Sequence, residues 1–247
     1  MKPFVELGRG LWLQDHYLTR ACCEQMLAAA RAHLALYPAV SVERPDGQRG
    51  LRYRVLDGYR IERALPSIHA LLPRVQQTVN AVTGMGLLPL QNRAAAINLN
   101  VTPPGGEYRW HYDRNAVTAI LYLNAVEGGE TELLPGYRLH LGRFKHTALQ
   151  RWADLALRRP GIAGLTAKPI GIAPKPGRLV VMRGDRCLHS VSPVRGELDR
   201  FNLIMTFDRP QVRHQVDEDL DPYLYSDHQT PSFDPNYART AKVRTNP

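Results

Sequence analysis

Beyond residue 94 the chain is a succession of short apolar runs rich in β-branched residues: "AAINLNV", "AVTAILYLN", "ETELL", "GRLVVMR" and "RFNLIMTF". Turn formers separate them at Pro103-Pro104-Gly105-Gly106, Gly128-Gly129 and Pro176-Gly177. Runs this short, bounded by glycine and proline, read as strands rather than helices. Repeated along half the chain, they specify a β-sandwich or barrel. The N-terminal third has another texture. Residues 19–37 read as a helix with Thr19 as N-cap and Pro38 past its end, and residues 66–82 as a second helix ending near Gly84. Between them "LRYRVLDGYRI" reads as a hairpin turning at Asp57-Gly58. One helix interrupts the β half. Thr147 and Gln150 form a capping box, Leu149, Trp152 and Ala156 share a face, and Pro160-Gly161 ends it. The expected class is mainly β with flanking helices, α+β.

At 247 residues the chain can be one domain with a sizeable core. Residues 1–93 would support a β core at 94–208, which carries a helical insertion at 137–170, and 209–247 would form a polar tail. No apolar run reaches the ~18 residues of a membrane span, and "MKPFVELGRG" lacks a signal peptide's apolar stretch. Cys22, Cys23 and Cys187 are odd in number and two are adjacent, which argues against a disulfide framework and for a reducing cytoplasm. The net charge of +9 is local. Tyr137 to Arg178 holds nine basic residues against Asp154 alone, a surplus of eight. Such a segment fits a lid that attracts an anionic substrate, a solvated helix face, or a homodimer contact through Trp152 and Leu149. No basic patch interleaved with aromatics is present to stack bases.

The chemistry is concentrated in "GGEYRWHYDRNAVTAILYLN". In a strand, residues two apart share a face, so His111 and Asp113 project together. By itself the pair fits a solvent-facing strand as well as it fits a ligand set. His189 follows an apolar strand and a turn, 76 residues after Asp113. Two imidazoles and one carboxylate are a non-haem Fe(II) donor set that leaves positions open for co-substrate and O2. Arg200 opens the strand "RFNLIMTF". A guanidinium leading so apolar a strand either points inward, where it needs a carboxylate or phosphate, or lies on the surface.

Together, "PPGGEYRWHYD", "TAILYLNAVEGGETELLP", "KPGRLVVMRGDRCLHSVSPV" and the strand after Arg200 resemble the Fe(II)/2-oxoglutarate-dependent dioxygenases, in the same order, and the prolyl 4-hydroxylase-like branch above all. "LWLQDHYLTRACCEQML" is similar to that branch's opening strand and helix. The resemblance implies a double-stranded β-helix, a distorted cupin-like jelly roll, with the N-terminal helices packed on its major sheet. It implies that His111, Asp113 and His189 hold Fe(II). It implies that 2-oxoglutarate chelates the metal and sets its far carboxylate against Arg200, helped by Tyr122 and Thr118. Tyr108 matches the branch and either lines the site or packs in the core. Ascorbate is a further expected cofactor of such an enzyme. Many prolyl hydroxylases carry Lys in place of Arg200 and Tyr in place of Thr102, which sets this chain apart from collagen-type specificity. Family halogenases lack the Asp113 carboxylate, so oxygen transfer is expected here.

The implied reaction consumes O2 and 2-oxoglutarate, releases succinate and CO2, and hydroxylates an unactivated C–H bond. Desaturation or cyclisation would use the same residues. Asn98, Asn100, Trp110, Arg114 and Arg195 are the candidate substrate contacts. Asn98 and Asn100 alternate with Ile97, Leu99 and Val101 and so face the opposite side. A small metabolite, an amino acid or a biosynthetic intermediate, is the leading substrate class. The alternatives are a protein prolyl hydroxylase, a nucleic-acid dealkylase with Arg-x-Asn on its last core strand, and a metal-binding cupin-like barrel without catalysis.

Overall fold

The computed structural model describes residues 3–44, 50–139, 148–157 and 167–210. The chain opens with a hairpin, β1 (Val5–Gly8) and β2 (Leu11–Gln14), then helix α1 (Arg20–Leu36). Strands β3 (Val40–Arg44) and β4 (Leu51–Leu56) follow, then helices α2 (Gly58–Ala64), α3 (Pro66–His69) and α4 (Leu71–Thr83). A short β5 (Leu88–Pro89) and α5 (Arg93–Ala96) lead into the β region. There β6 (Ile97–Thr102), β7 (Tyr108–His111), β8 (Val117–Tyr122), β9 (Glu127–Gly128) and β10 (Thr131–Leu134) come first. Helix α6 (Ala148–Leu157) intervenes before β11 (Ile170–Ile172), β12 (Leu179–Met182), β13 (Leu188–Val191), β14 (Val194–Arg195) and β15 (Arg200–Asp208).

The strands pair in the order β1-β2-β12-β8-β15-β6-β4-β7-β13-β10-β11. The first seven form a wide antiparallel sheet, and β7, β13, β10 and β11 fold over it as a second layer. The two layers are joined where Leu51 of β4 pairs with Tyr108 of β7. This curled, mostly antiparallel sheet is a double-stranded β-helix. Strands β6, β8 and β15 form its centre. Leu203 stands opposite Leu99 and Leu121, and Asn202 opposite Asn100 and Tyr122.

This register gives the central strands two faces. The odd-numbered residues Leu99, Val101, Val117, Ala119, Leu121, Leu203, Met205 and Phe207 pack against Cys23, Met26 and Ala30 of α1 and Val75 and Val79 of α4. Each such side chain, removed from water, contributes about 1.5–3 kcal/mol. The even-numbered residues of the same strands turn into the barrel. The pairing thus separates the layer that holds the fold together from the layer that can hold a ligand.

The N-terminal expectations are met in part. Thr19 caps α1, its hydroxyl accepting from the Cys22 N–H at 3.2 Å. Asp57-Gly58 is not a hairpin turn. The Asp57 carboxylate accepts from the Arg60 N–H at 2.9 Å and caps α2, while β4 pairs with the preceding β3. Gly58 is required there, because a Cβ would lie 1.9 Å from the Arg93 carbonyl oxygen. The helix expected over 66–82 is two helices with a break at Ala70. Pro73 explains the break. It has no N–H to give and its ring would meet the preceding turn, so a new helix starts at Leu71 and places the proline in its first turn.

The insertion helix turns its apolar stripe outward. Leu149 and Trp152 are 59% and 69% exposed, whereas Gln150, Ala153 and Asp154 are buried. Its anchor is polar. Arg138 donates from Nε to both Asp154 oxygens at 3.1–3.2 Å, and Gln150 donates to Asp154 at 2.9 Å. The Arg138 guanidinium also lies over the Tyr112 ring, 5.0 Å from its centroid. Breaking a buried ion pair from one side costs about 3–5 kcal/mol. Arg138→Met should therefore abolish amide-exchange protection in residues 148–157 and leave the β core protected. The Thr147 cap and the tail from Gln211 lie outside the described residues, and no described helix is long and apolar enough to cross a membrane.

Candidate metal centre

Strand β7 ends on His111, and the turn that follows carries Asp113. Its neighbour β13 places His189 directly opposite His111, so the two imidazoles face each other with ring centroids 4.0 Å apart. Asp113 Oδ1 lies 3.6 Å from His111 Nε2 and 3.5 Å from His189 Nε2. One donor atom from each of the three residues falls within 4.8 Å of the others. Both imidazoles are oriented from behind. His111 Nδ1 is 2.9 Å from the Arg109 carbonyl oxygen and His189 Nδ1 is 3.0 Å from that of Cys187. A carbonyl can only accept, so each Nδ1 carries the hydrogen and each Nε2 turns a lone pair toward the common point.

The local electrostatics favour that state at His111 and Asp113, and oppose it at His189. Burial, with His189 alongside, pushes the His111 pKa down to about 3 and keeps that ring neutral. Burial would raise the Asp113 pKa, but His189, His111 and the Thr118 hydroxyl outweigh it and hold the carboxyl below its usual range. Burial would lower His189, and the Asp113 carboxylate more than reverses that. Two imidazole nitrogens and one anionic oxygen, held by β7, the turn after it and β13, fit a hard-to-intermediate divalent ion such as Fe(II), which would take the place of a proton on His189.

The three ligands stand in the wall of a cavity that runs inside the barrel to Arg200. Arg200 is 2% exposed. It donates to Thr131 Oγ1 at 3.1 Å and to the Asn202 side-chain oxygen, and its Cζ lies 5.1 Å from the Tyr122 ring centroid. The Tyr122 hydroxyl meets Thr131 Oγ1 at 2.6 Å. The buried Nε of Arg200 has no partner, and none of the ion pairs among the described residues includes it. A guanidinium held so far from water calls for an anion. The cavity therefore offers a candidate metal donor set at one position and a buried cation at another.

The expected site residues divide clearly. His111, Asp113, His189, Arg200, Asn98, Asn100, Thr118, Tyr108 and Arg114 all line the cavity. Tyr122 stands behind Arg200. Tyr108 is stacked between Tyr53 and His111, at centroid distances of 5.3 and 4.5 Å. The Thr118 hydroxyl donates to Asp113 Oδ2 at 2.5 Å, a contact the sequence alone does not show. Trp110 packs outside the cavity with Tyr112, Leu134 and Leu188, because alternation along β7 turns it away from His111. Arg195 is exposed on the small β9–β14 ribbon, opposite Glu127. Neither touches the cavity. Thr131 and Asn202 were missed by the sequence reading. Asn202 was within reach of it, since it lies two residues from Arg200 on one strand, but Thr131 reaches the guanidinium only through the closure of the barrel.

Comparison with known proteins places this geometry. Residues 97–208, the span from β6 to the end of β15, match the family model of the 2OG-Fe(II) oxygenase superfamily. These residues form a 2OG-Fe(II) oxygenase domain. A prolyl-4-hydroxylase from Pseudomonas putida is 21% identical, with a TM-score of 0.53 over 81% of this chain and 93% of that one. The non-heme alpha ketoglutarate dependent epimerase SnoN from nogalamycin biosynthesis is 16% identical, with a TM-score of 0.61 over 81% of this chain and 78% of that one. The carbocyclase SnoK from the same biosynthesis is 15% identical, with a TM-score of 0.61 over 81% and 80%. These likenesses establish the shared fold of the oxygenase domain. No curated protein matches the sequence.

Proposed function

We propose that this oxygenase domain uses Fe(II), 2-oxoglutarate and O2 to hydroxylate an unactivated C–H bond of a small metabolite, with release of succinate and CO2. The observation that carries the reading is the placement, in one cavity, of the His111–Asp113–His189 donors and a buried Arg200 whose Nε has no partner. A bare metal site has no use for such a guanidinium. The iron, when bound, supplies the oxidising chemistry. His111, Asp113 and His189 would hold it at the cavity wall. Arg200 fixes the far carboxylate of 2-oxoglutarate by charge-assisted hydrogen bonds, and Thr131 and Asn202 set the direction of its fork. Val55, Ile120, Ile204 and Met182 keep the intervening wall apolar and exclude water.

Asn98, Asn100 and Arg114 are the proposed substrate contacts, with Arg114 suited to an anionic group. The small-molecule class is supported by a cavity set within the barrel and by the fold shared with enzymes of nogalamycin biosynthesis. A protein prolyl hydroxylase is the second reading, favoured by the likeness to the Pseudomonas putida enzyme. The reading extends to ascorbate as a reductant that keeps the iron ferrous. It extends also to a reducing cytoplasm, consistent with the free thiols of Cys22, Cys23 and Cys187. Succinate release, measured across free amino acids, biosynthetic intermediates and proline-containing peptides, tests the proposal. Stimulation by free small molecules is expected. Stimulation by peptides alone would transfer the case to the second reading.

A further inference from the structure

We propose that Asn115 and Thr118 form a positioning relay that confines Asp113 to single-oxygen ligation and so keeps a coordination position open. The inference rests on the oxygenase reading and concerns a residue, Asn115, that the metal chemistry does not otherwise use.

The direction of every hydrogen in the relay can be deduced. Asn115 is buried and donates from Nδ2 to the Val117 carbonyl at 2.7 Å and to Thr118 Oγ1 at 2.9 Å. Turning the amide over would set its oxygen against the Val117 carbonyl, acceptor against acceptor, so the orientation is fixed. Both amide hydrogens are then committed. Thr118 Oγ1 receives one of them and directs its own hydrogen to Asp113 Oδ2 at 2.5 Å. Oδ2 is thereby held toward Thr118, and Oδ1 lies 3.6 and 3.5 Å from the two Nε2 atoms. The backbone completes the arrangement, with the Asp113 N–H donating to the Gly184 carbonyl at 3.0 Å. Gly184 admits the carboxylate only because it has no side chain. A Cβ there would lie 2.5 Å from Asp113 Oδ2 and 2.9 Å from Thr118 Oγ1.

The consequence follows from coordination geometry. A carboxylate free to rotate would offer a cation both oxygens. Three single-atom ligands would leave more of the ion accessible from the cavity to a co-substrate than four would. A second oxygen from Asp113 would be the fourth. Thr118 acts on Asp113 directly and Asn115 acts through Thr118.

Thr118→Val keeps the shape of the side chain and deletes the hydroxyl, Asn115→Leu deletes the donor that directs it, and Thr118→Ser restores the hydroxyl. Two measurements apply. One is titration of the metal-free protein with Co(II), with affinity and the visible spectrum recorded. The other is the visible band of the anaerobic Fe(II)–2-oxoglutarate chelate. Thr118→Val should change Co(II) affinity about 10-fold or more, change the cobalt spectrum and weaken the chelate band. Asn115→Leu should shift all three in the same direction by less, and Thr118→Ser should return them to wild-type values. Wild-type affinity and spectra in both Thr118→Val and Asn115→Leu would overturn the relay. A wild-type protein that binds Co(II) but never gives the chelate band would sink the oxygenase reading, and the cobalt comparison of Thr118→Val with Thr118→Ser would still decide whether Oδ2 is held.

Discussion

Asp113→Ala is expected to release the metal. Asp113 contributes the only negative charge among the three donors, and its Oδ1 lies between the two imidazoles at 3.5 and 3.6 Å. With it gone, two neutral nitrogens are left to hold a hard divalent cation, and water must fill the position. Loss of a partner that merely orients a ligand already costs about 10- to 100-fold in metal affinity. Loss of the ligand itself should therefore exceed 100-fold or so, by the same scale. Equilibrium dialysis against Fe(II) under anaerobic conditions reads this directly, and succinate release should fall to background. His111→Ala and His189→Ala should behave alike. Iron retained at near wild-type affinity in all three would place the metal elsewhere.

Arg200→Leu should separate the co-substrate from the metal. Iron affinity should stay within a few-fold of wild type, because Arg200 makes none of the contacts that orient the three ligands. The 2-oxoglutarate constant should rise steeply. Truncating one partner of a buried, hydrogen-bonded charge pair costs about 2–5 kcal/mol. That corresponds to roughly 30-fold to a few thousand-fold in the constant. Arg200→Lys should fall between, since it keeps the charge but loses the planar fork that Thr131 and Asn202 align. A variant with normal 2-oxoglutarate dependence and impaired substrate binding would instead assign this guanidinium to the substrate.

Much of this arrangement could be read in the sequence because β-strands repeat with a period of two. The alternation of Ile97, Leu99 and Val101 with Asn98 and Asn100 set the two asparagines on the opposite side from the packing residues, and His111 and Asp113 do converge, although Asp113 lies in the turn just past the end of β7. Thr19 as a cap was equally legible, being a local event. Readings failed where tertiary context decides. Asp57-Gly58 carries a turn signature that a helix N-terminus uses just as well. Pro73 could have been placed inside a bent helix or at the start of a new one, and packing chose the second. Thr118 shares a face with Tyr122, but alternation fixes only the side a residue points to and not its hydrogen-bond partner, Asp113. Trp110 is next to His111 in sequence, but alternation along β7 turns it to the opposite face. Thr131 and Gly184 stood outside the reading altogether, since each meets its partner only when distant strands close around the cavity.

The register of the three central strands makes parity a map. In β6, β8 and β15 alike, odd positions face the helices and even positions face the barrel interior, most of them lining the cavity. Evolution can therefore rewrite what the barrel recognises, at Asn98, Asn100, Ile120 or Ile204, while the scaffold beneath remains as it was. Such a chassis can change clientele without first being rebuilt, and a library restricted to those even sites should retain its thermal tolerance even as its substrate preferences diverge.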